Sequence, residues 1–129
     1  MDQLLAEFKD KTNVVVVDFH AEATSEKVAM GRYLDGRISA VFGTHTHVGT
    51  IDARILPRGT AYVTDIGMVG PMDSVIGDDM DSVIDRFLTQ IPSRLSVGKG
   101  KVAFDAVLVE VNEETGRAVN IERIRRTED

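Results

Sequence analysis

Three histidines follow apolar segments of the chain, and two of them are separated by a single residue. His45 and His47 come after the apolar run 38–42, and His20 closes the run 14–20. They are the only histidines among 129 residues. Neutral imidazole is a common ligand of several transition metals, so the residue type alone does not fix the ion. The spacing predicts a metal site with His20, His45 and His47 as ligands.

The strands and the helix predicted around the histidines should bring them close together. The runs 14–17 and 38–42 are rich in β-branched and apolar residues and predict two buried strands. Residues 24–34 between them predict a helix, which Asp35-Gly36 ends. A strand–helix–strand unit places its strands parallel through a right-handed crossover. All three histidines then emerge at the carboxyl edge of the sheet, where open α/β sheets bind ligands.

Each of these residues also has a plain structural interpretation. Histidines at strand ends can simply hydrogen-bond backbone groups. Glu22 could hydrogen-bond an imidazole and so orient it without binding the metal, or it could be a solvated residue at a helix start. Thr44 and Thr46 could donate to a phosphate, or they could cap the backbone of the loop.

Two aspartates near strand ends are weaker candidates for a metal-binding or catalytic role. Asp18 lies two residues before His20, and its geometry would allow a role as ligand or acid/base. The favoured interpretation is that Asp18 accepts hydrogen bonds from loop amides. Asp65 ends another predicted strand, and it is interpreted as structural rather than ligating.

The remaining pattern predicts a mixed α/β chain. The inward residues of the first long helix are predicted to be Val28, Ala29 and Tyr33, and those of a later helix Val83, Ile84, Phe87 and Leu88. The segments 65–71 and 123–129 are predicted to be a loop and a frayed end. Helices are predicted over 2–11 and 80–90, and strands over 53–56, 60–64, 102–111 and 118–124.

Composition bounds the class of protein. A chain of 129 residues with 43% hydrophobic residues suits one domain over 1–129. The chain has no Cys, which excludes disulfides and thiol nucleophiles and fits a cytoplasmic location. No apolar run approaches the roughly 20 residues of a membrane helix, and the N-terminus does not resemble a signal peptide. The net charge of −6 argues against duplex nucleic acid as a partner.

Three segments together resemble one family. They are the runs 18–27 (DFHAEATSEK), 43–48 (GTHTHV) and 59–68 (GTAYVTDIGM). These runs are similar to those of the YmdB-like bacterial metallophosphoesterases, and the resemblance covers nearly the whole chain. That family consists of dinuclear metal phosphodiesterases acting on cyclic nucleotides.

The resemblance implies a fold and a division of the ligands. His20 and His45 would bind one metal and His47 the other, with Fe or Mn as the expected ions and Zn possible. The fold implied is the four-layer α/β/β/α sandwich of the calcineurin-like phosphoesterases. The family's N-terminal motifs, which supply carboxylate and Asn ligands and a catalytic His, have no counterpart in this sequence. We therefore expect the C-terminal half of such an enzyme, either a fragment or a gene for that half, and assign no catalytic residue.

Two functional hypotheses follow. The first is a metal-dependent phosphodiesterase that hydrolyses a small phosphodiester or cyclic nucleotide, to which this chain supplies the histidines and in which it could be inactive by itself. The alternative is a non-catalytic assembly or metal-binding module derived from such an enzyme. Because half a sandwich leaves a sheet uncovered, the expected partner is a second copy or a complementing N-terminal half.

Overall fold

The computed structural model describes residues 1–128, which form three helices and two β-sheets. None of these helices has the length and hydropathy to cross a bilayer. The helices are α1 (Asp2–Phe8), α2 (Thr24–Leu34) and α3 (Met80–Thr89). The strands are β1 (Val16–His20), β2 (Ala40–Thr44), β3 (Arg54–Ile55), β4 (Ala61–Val63), β5 (Val69–Pro71), β6 (Val102–Val111) and β7 (Ala118–Glu128).

The first sheet confirms the predicted strand–helix–strand unit. Its strand order is β1-β2-β4-β3, with β1, β2 and β4 parallel and β3 antiparallel to β4. The β1–β2 register places His20 opposite Thr44. Since the two strands run in the same direction, His20 and the residues after Thr44 leave the sheet at the same edge.

The second sheet is antiparallel, with the order β5-β6-β7. The long pair of β6 and β7 confirms the predicted hairpin, whose connection closes through the hydrogen bond from Gly116 N–H to the Asn112 carbonyl. Gly116 has a φ of 69°, a conformation that glycine adopts without steric strain.

The core shows how these elements stack. Val41 and Tyr62 pack in a cluster with Leu34 of α2, whereas Ala40 and Ala61 pack in a cluster with Ala118 of β7. Neighbouring residues of a strand point to opposite faces of the sheet. Helix α2 therefore covers one face of the first sheet and the second sheet covers the other, which confirms the α/β class.

The prediction that strand 14–17 is buried on both faces is wrong. The strand spans Val16–His20, and its exposure alternates along the chain, so that Val16 is 52% exposed whereas Val17 is half-buried. The reason is position: β1 lies at the edge of its sheet and only the face with Val17 and Phe19 packs on the core.

The predicted inward faces of two helices also need correction. In α2 the buried residues are Lys27, Gly31 and Leu34, while Ala29 and Tyr33 are exposed and Val28 is half-buried. A lysine is buried there because its ammonium group has a buried carboxylate partner. Only Val83 of α3 is buried, and the other predicted inward residues, Ile84, Phe87 and Leu88, are exposed.

Several boundaries differ from the sequence predictions, and β2, for example, spans Ala40–Thr44 rather than residues 38–42. Helix α1 ends at Phe8 rather than at residue 11, and the predicted loop 65–71 contains the short strand β5. Residues 123–128, predicted to be frayed, belong to β7, because they pair in register with residues 102–107 of β6. Residue 129 lies outside the described residues.

Candidate metal centre

The structure brings His20 and His45 into direct contact. Nε2 of His20 and Nδ1 of His45 are hydrogen-bonded at 3.1 Å, with the ring centroids 4.9 Å apart and the ring planes at 79°. His20 is the last residue of β1 and His45 the first after β2, so the parallel register produces this contact. Both side chains are exposed at the sheet edge and are open to a ligand.

A chain of hydrogen bonds fixes the orientation of the His20 ring. The Thr44 hydroxyl donates to Oδ1 of Asp18 over 2.7 Å, and the same hydroxyl oxygen lies 3.1 Å from Nδ1 of His20. A hydroxyl group has only one proton to donate. Because the Thr44 hydroxyl donates its proton in the hydrogen bond to Asp18, its oxygen accepts a hydrogen bond from the imidazole N–H of His20. His20 is then protonated at Nδ1, and the lone pair of Nε2 is directed at His45. Asp18 thus binds a hydroxyl rather than the loop amides that we predicted.

His47 is held by a different contact. Its Nδ1 donates to the backbone carbonyl of Ile76 over 2.6 Å, which leaves Nε2 free. His47 and Ile76 have φ values of 63° and 49°, and His45 has a φ of 122°. Positive φ is rare for residues other than glycine and is a genuine outlier for a β-branched residue such as Ile76. The surrounding fold must therefore hold this backbone in place, as it often does at functional sites.

The loop between these histidines is anchored by a buried ion pair. Lys27 Nζ lies 2.8 Å from Oδ2 of Asp65, and both side chains are almost fully buried. The same Oδ2 accepts the backbone N–H of Thr46 at 2.9 Å, and Oδ1 accepts that of Gly67 at 3.0 Å. Asp65 thus joins α2 to the loop that contains His45 and His47.

The charge of Asp65 is stabilised where it lies. Burial alone would raise the pKa of its carboxyl, but hydrogen bonds from Lys27, Thr46 and Gly67 outweigh burial and hold that pKa below its usual value. The carboxylate therefore remains ionised in its ion pair with Lys27. The structural interpretation of Asp65 agrees with these contacts. The importance of Lys27 was missed, since a single lysine in a helix gives no indication that it is buried.

The other candidate residues contribute unequally. Thr44 belongs to the chain that orients His20, and Thr46 contributes its backbone N–H to Asp65 while its hydroxyl donates to the Val48 carbonyl at 3.1 Å. Glu22 is exposed, and among the described residues it has no hydrogen bond to a histidine.

The histidine pair has the geometry of two ligands of one ion. In a tetrahedral site with metal–nitrogen distances of about 2.0–2.1 Å, two imidazole nitrogens lie about 3.3 Å apart. The 3.1 Å between Nε2 of His20 and Nδ1 of His45 fits this value. The hydrogen bonds to the far nitrogens of His20 and His47 match the way in which ligating histidines are usually oriented.

Residues 1–128 do not, however, contain a complete ligand set. Among these residues no group of three or more His, Cys, Asp or Glu side chains is arranged to hold a metal ion. His47 therefore does not join His20 and His45 in such a group. The residues present fit two ligand positions of one ion, and a stable site needs further ligands.

A cavity of about 270 Å³ adjoins His47. The side chains of Met68, Met72 and Ile76 line it, together with Asp105 of β6 and Arg125 of β7. The strand that brings Arg125 to this cavity is the one whose end we predicted to be frayed. The extension of β7 thus places a cation beside the histidine loop.

Comparison with known proteins gives a consistent result. The sequence model of the family described as YmdB-like protein matches residues 1–124. The chain is 52% identical to the 2′,3′-cyclic-nucleotide 2′-phosphodiesterase of Bacillus subtilis, over 99% of this chain and 48% of that protein. It is 44% identical to a putative phosphatase/phosphodiesterase of Mycoplasma pneumoniae, over 88% of this chain and 41% of that protein.

Solved structures agree with the sequence comparisons. A hypothetical protein from Thermus thermophilus superposes with a TM-score of 0.91 at 48% identity, over 99% of this chain and 49% of that one. A phosphatase from Mycoplasma pneumoniae superposes with a TM-score of 0.91 at 40% identity, over 99% of this chain and 45% of that one. The chain thus spans about half the length of the curated relatives it matches. The family match covers nearly all of the sequence, and the chain belongs to the YmdB-like protein family.

Proposed function

We propose that this chain supplies the histidine ligands of a metal-dependent phosphodiesterase that hydrolyses cyclic nucleotides. The observation that carries the proposal is the contact of Nε2 of His20 with Nδ1 of His45, at the separation expected for two ligands of one ion. The relatives named as a cyclic-nucleotide phosphodiesterase and a putative phosphatase/phosphodiesterase support the reaction class.

The proposal divides the ligands between two ions. His20 and His45 bind one divalent transition metal and His47 binds a second, with Fe or Mn favoured and Zn as the alternative. Within residues 1–128 no third ligand completes the His20–His45 pair. The remaining ligands therefore come from outside these residues. Bound metal supplies an activated water as nucleophile and offsets the charge that develops on the phosphate.

The residues of this chain hold and orient the ligands. Asp18 and Thr44 keep the His20 proton on Nδ1 and so leave Nε2 for the metal. The carbonyl of Ile76 does the same for His47. Asp65 and Lys27 hold the loop between the two ligand positions, and we assign them no contact with substrate.

Metal binding tests the proposal without requiring turnover. Equilibrium dialysis against an excess of Mn²⁺, Fe²⁺ or Zn²⁺, followed by elemental analysis, should show weak metal binding at the two-histidine site of the wild-type chain, and this binding should be lost in His20→Ala and His45→Ala. Glu26→Gln, an exposed change on α2, is the matched control and should retain metal. Hydrolysis of a 2′,3′-cyclic nucleotide is measured in parallel. A wild-type chain that retains no more metal than His45→Ala would overturn the proposal.

A finer fold follows from the same proposal. The outer face of the second sheet exposes the apolar side chains of Val102, Phe104 and Leu108, which are 41%, 47% and 56% exposed. We propose that a helical layer from outside this chain covers that face and completes a four-layer α/β/β/α sandwich, with this chain as its C-terminal half. Exposed apolar patches of this kind mark surfaces that pack against other polypeptide.

The same apolar face favours a second candidate function, a non-catalytic assembly module. Its partner would be a second copy of the chain or a complementing N-terminal half. Size-exclusion chromatography with light scattering should then show a dimer or larger species, which Phe104→Lys returns to monomer. A wild-type monomer at high concentration would contradict self-association.

A further inference from the structure

The cavity beside His47 contains a buried carboxylate oxygen without a hydrogen-bond donor. The Asp105 side chain is 8% exposed, and among the described residues no donor hydrogen-bonds its Oδ1. Nε of Arg125, its cross-strand partner, lies 3.4 Å from this oxygen without forming a hydrogen bond. Buried polar atoms nearly always have a partner, so an unsatisfied acceptor lining a cavity indicates a missing donor.

The walls of the cavity are suited to a flat ring. Met68, Met72 and Ile76 line it, and about 270 Å³ is slightly below the roughly 300 Å³ at which pockets for drug-sized ligands begin. Methionine side chains are flexible and make favourable contacts between sulfur and aromatic rings. The lining also includes the polar side chains of His47, Ser74 and Arg125, so the cavity combines apolar walls with a carboxylate acceptor, and this combination suits a heterocycle that has an amino group.

The position of the cavity ties it to the candidate metal centre. His47 lines the cavity, and its ring is held by the carbonyl of Ile76, another wall residue. In a cyclic nucleotide the base and the phosphodiester are attached to the same ribose. A base in this cavity would therefore place the phosphodiester beside His47.

We propose that this cavity binds the nucleobase of the nucleotide substrate, with an amino group of the base donating to Asp105 and the ring lying between Met68 and Met72. The proposal rests on the proposed function, since it takes the substrate to be a nucleotide. It names Asp105 as the residue that selects bases with an amino group. Because Oδ1 of Asp105 is buried, the side chain of Arg125, which is 57% exposed and lies 3.4 Å from this oxygen, has to move aside when the base binds.

Base binding can be measured on the metal-free chain. The chain has five methionines, and their methyl groups, labelled with ¹³C, give one NMR signal each. In buffer with EDTA, adenosine or cytidine should shift the signals of Met68 and Met72. The signal of Met30, which lines a separate groove between β1 and α2, should not move. Ribose, which has no base, should move none of them.

Matched nucleosides test the role of Asp105. Purine riboside is adenosine without its amino group, and it should bind about tenfold or more weakly than adenosine, as expected for loss of a hydrogen bond to a charged group. Asp105→Ala should abolish this preference and Asp105→Asn should keep part of it. Arg126→Gln, on the opposite face of β7 beside Phe104, is the control and should behave as wild type.

The outcomes separate this inference from the proposed function. Unshifted Met68 and Met72 signals at millimolar adenosine and cytidine, or equal binding of the nucleosides with and without the amino group, would overturn the inference. Because the assay contains neither metal nor turnover, either result leaves metal binding by His20 and His45 untouched. If the chain binds the base in EDTA but binds no metal in the dialysis experiment, only the proposed function is contradicted.

Discussion

Oδ2 of Asp65 accepts the backbone N–H of Thr46 over 2.9 Å, and Thr46 is the residue between His45 and His47. The same oxygen is paired with Lys27 of α2 at 2.8 Å. The histidine loop is thereby tied through one carboxylate to the buried side of the helix that covers the first sheet. The positive φ values of His45 and His47 depend on this attachment, since isolated loops seldom hold such conformations.

Removing Lys27 should destabilise the whole chain. Lys27→Met leaves the Asp65 carboxylate buried without its charged partner, and we expect the free energy of unfolding to fall by about 3–5 kcal/mol. Urea denaturation followed by circular dichroism measures the loss. Arg37→Gln, which breaks the exposed ion pair with Asp2, is the control and should change the stability little. Equal losses in the two variants would show that burial of the Lys27–Asp65 pair has no energetic importance.

Thr44 should control metal affinity through His20. Thr44→Val removes the hydroxyl between Asp18 and His20, so we expect metal affinity to fall about 10- to 100-fold, as for other changes behind a ligating histidine. Thr44→Ser keeps the hydroxyl and should restore most of the affinity. Competition with a chromophoric chelator measures both. An unchanged affinity in Thr44→Val would mean that the hydrogen-bond chain does not orient the ligand.

Acid should destabilise the chain through carboxylates that are ionised in the fold. Burial raises the pKa of Asp52, but hydrogen bonds from Thr50 and Thr64 outweigh it and lower that pKa below the ordinary 3.8. The lowered pKa of Asp65 acts in the same direction. Their contribution to stability is complete above pH 3.8 and is lost as the pH falls from 3.8 through the lower pKa values of the folded chain.

Asp52→Asn tests this pH dependence. The variant should be less stable than wild type at pH 7, because the carboxylate no longer accepts from Thr50 and Thr64. The difference should be the same at pH 5 as at pH 7 and should shrink by pH 3, because below pH 3.8 the carboxylate of the unfolded chain takes up a proton before that of the folded chain does. Urea unfolding at the three pH values measures the free energies. A difference that stays constant from pH 7 to pH 3 would contradict the lowered pKa.

Gly43 should not tolerate a side chain. A Cβ at this position would lie 1.7 Å from the backbone carbonyl oxygen of Thr64 on the neighbouring chain segment. The free energy of unfolding of Gly43→Ala should therefore be lower than that of wild type by about 3 kcal/mol or more, which is the upper end of the range for overpacked cores. Gly70→Ala, whose Cβ would have no contact closer than 3.6 Å, is the matched control. Similar melting temperatures for the two variants would argue against the close approach at Gly43.

The sequence predicted the elements that bring the histidines together, but not the contacts that hold them. Hydrophobic periodicity is local, so the strand–helix–strand unit and the shared edge of His20 and His45 follow from it. The Lys27–Asp65 pair joins residues 38 positions apart, and neither residue differs from a surface charge in the sequence. Arg123 to Glu128 had few apolar residues to indicate a strand, and pairing with β6 determines their conformation.

The register that sets His20 opposite Thr44 makes the His20–His45 contact a reporter of strand pairing. Side chains alternate between the two faces of a sheet, so a slip of one residue between β1 and β2 would turn His20 away from its partners. If NMR still detects the contact between the imidazole rings of His20 and His45 in a variant, that variant has kept the native pairing of β1 and β2. The contact allows folding defects to be separated from chemical ones in every substitution made near this edge.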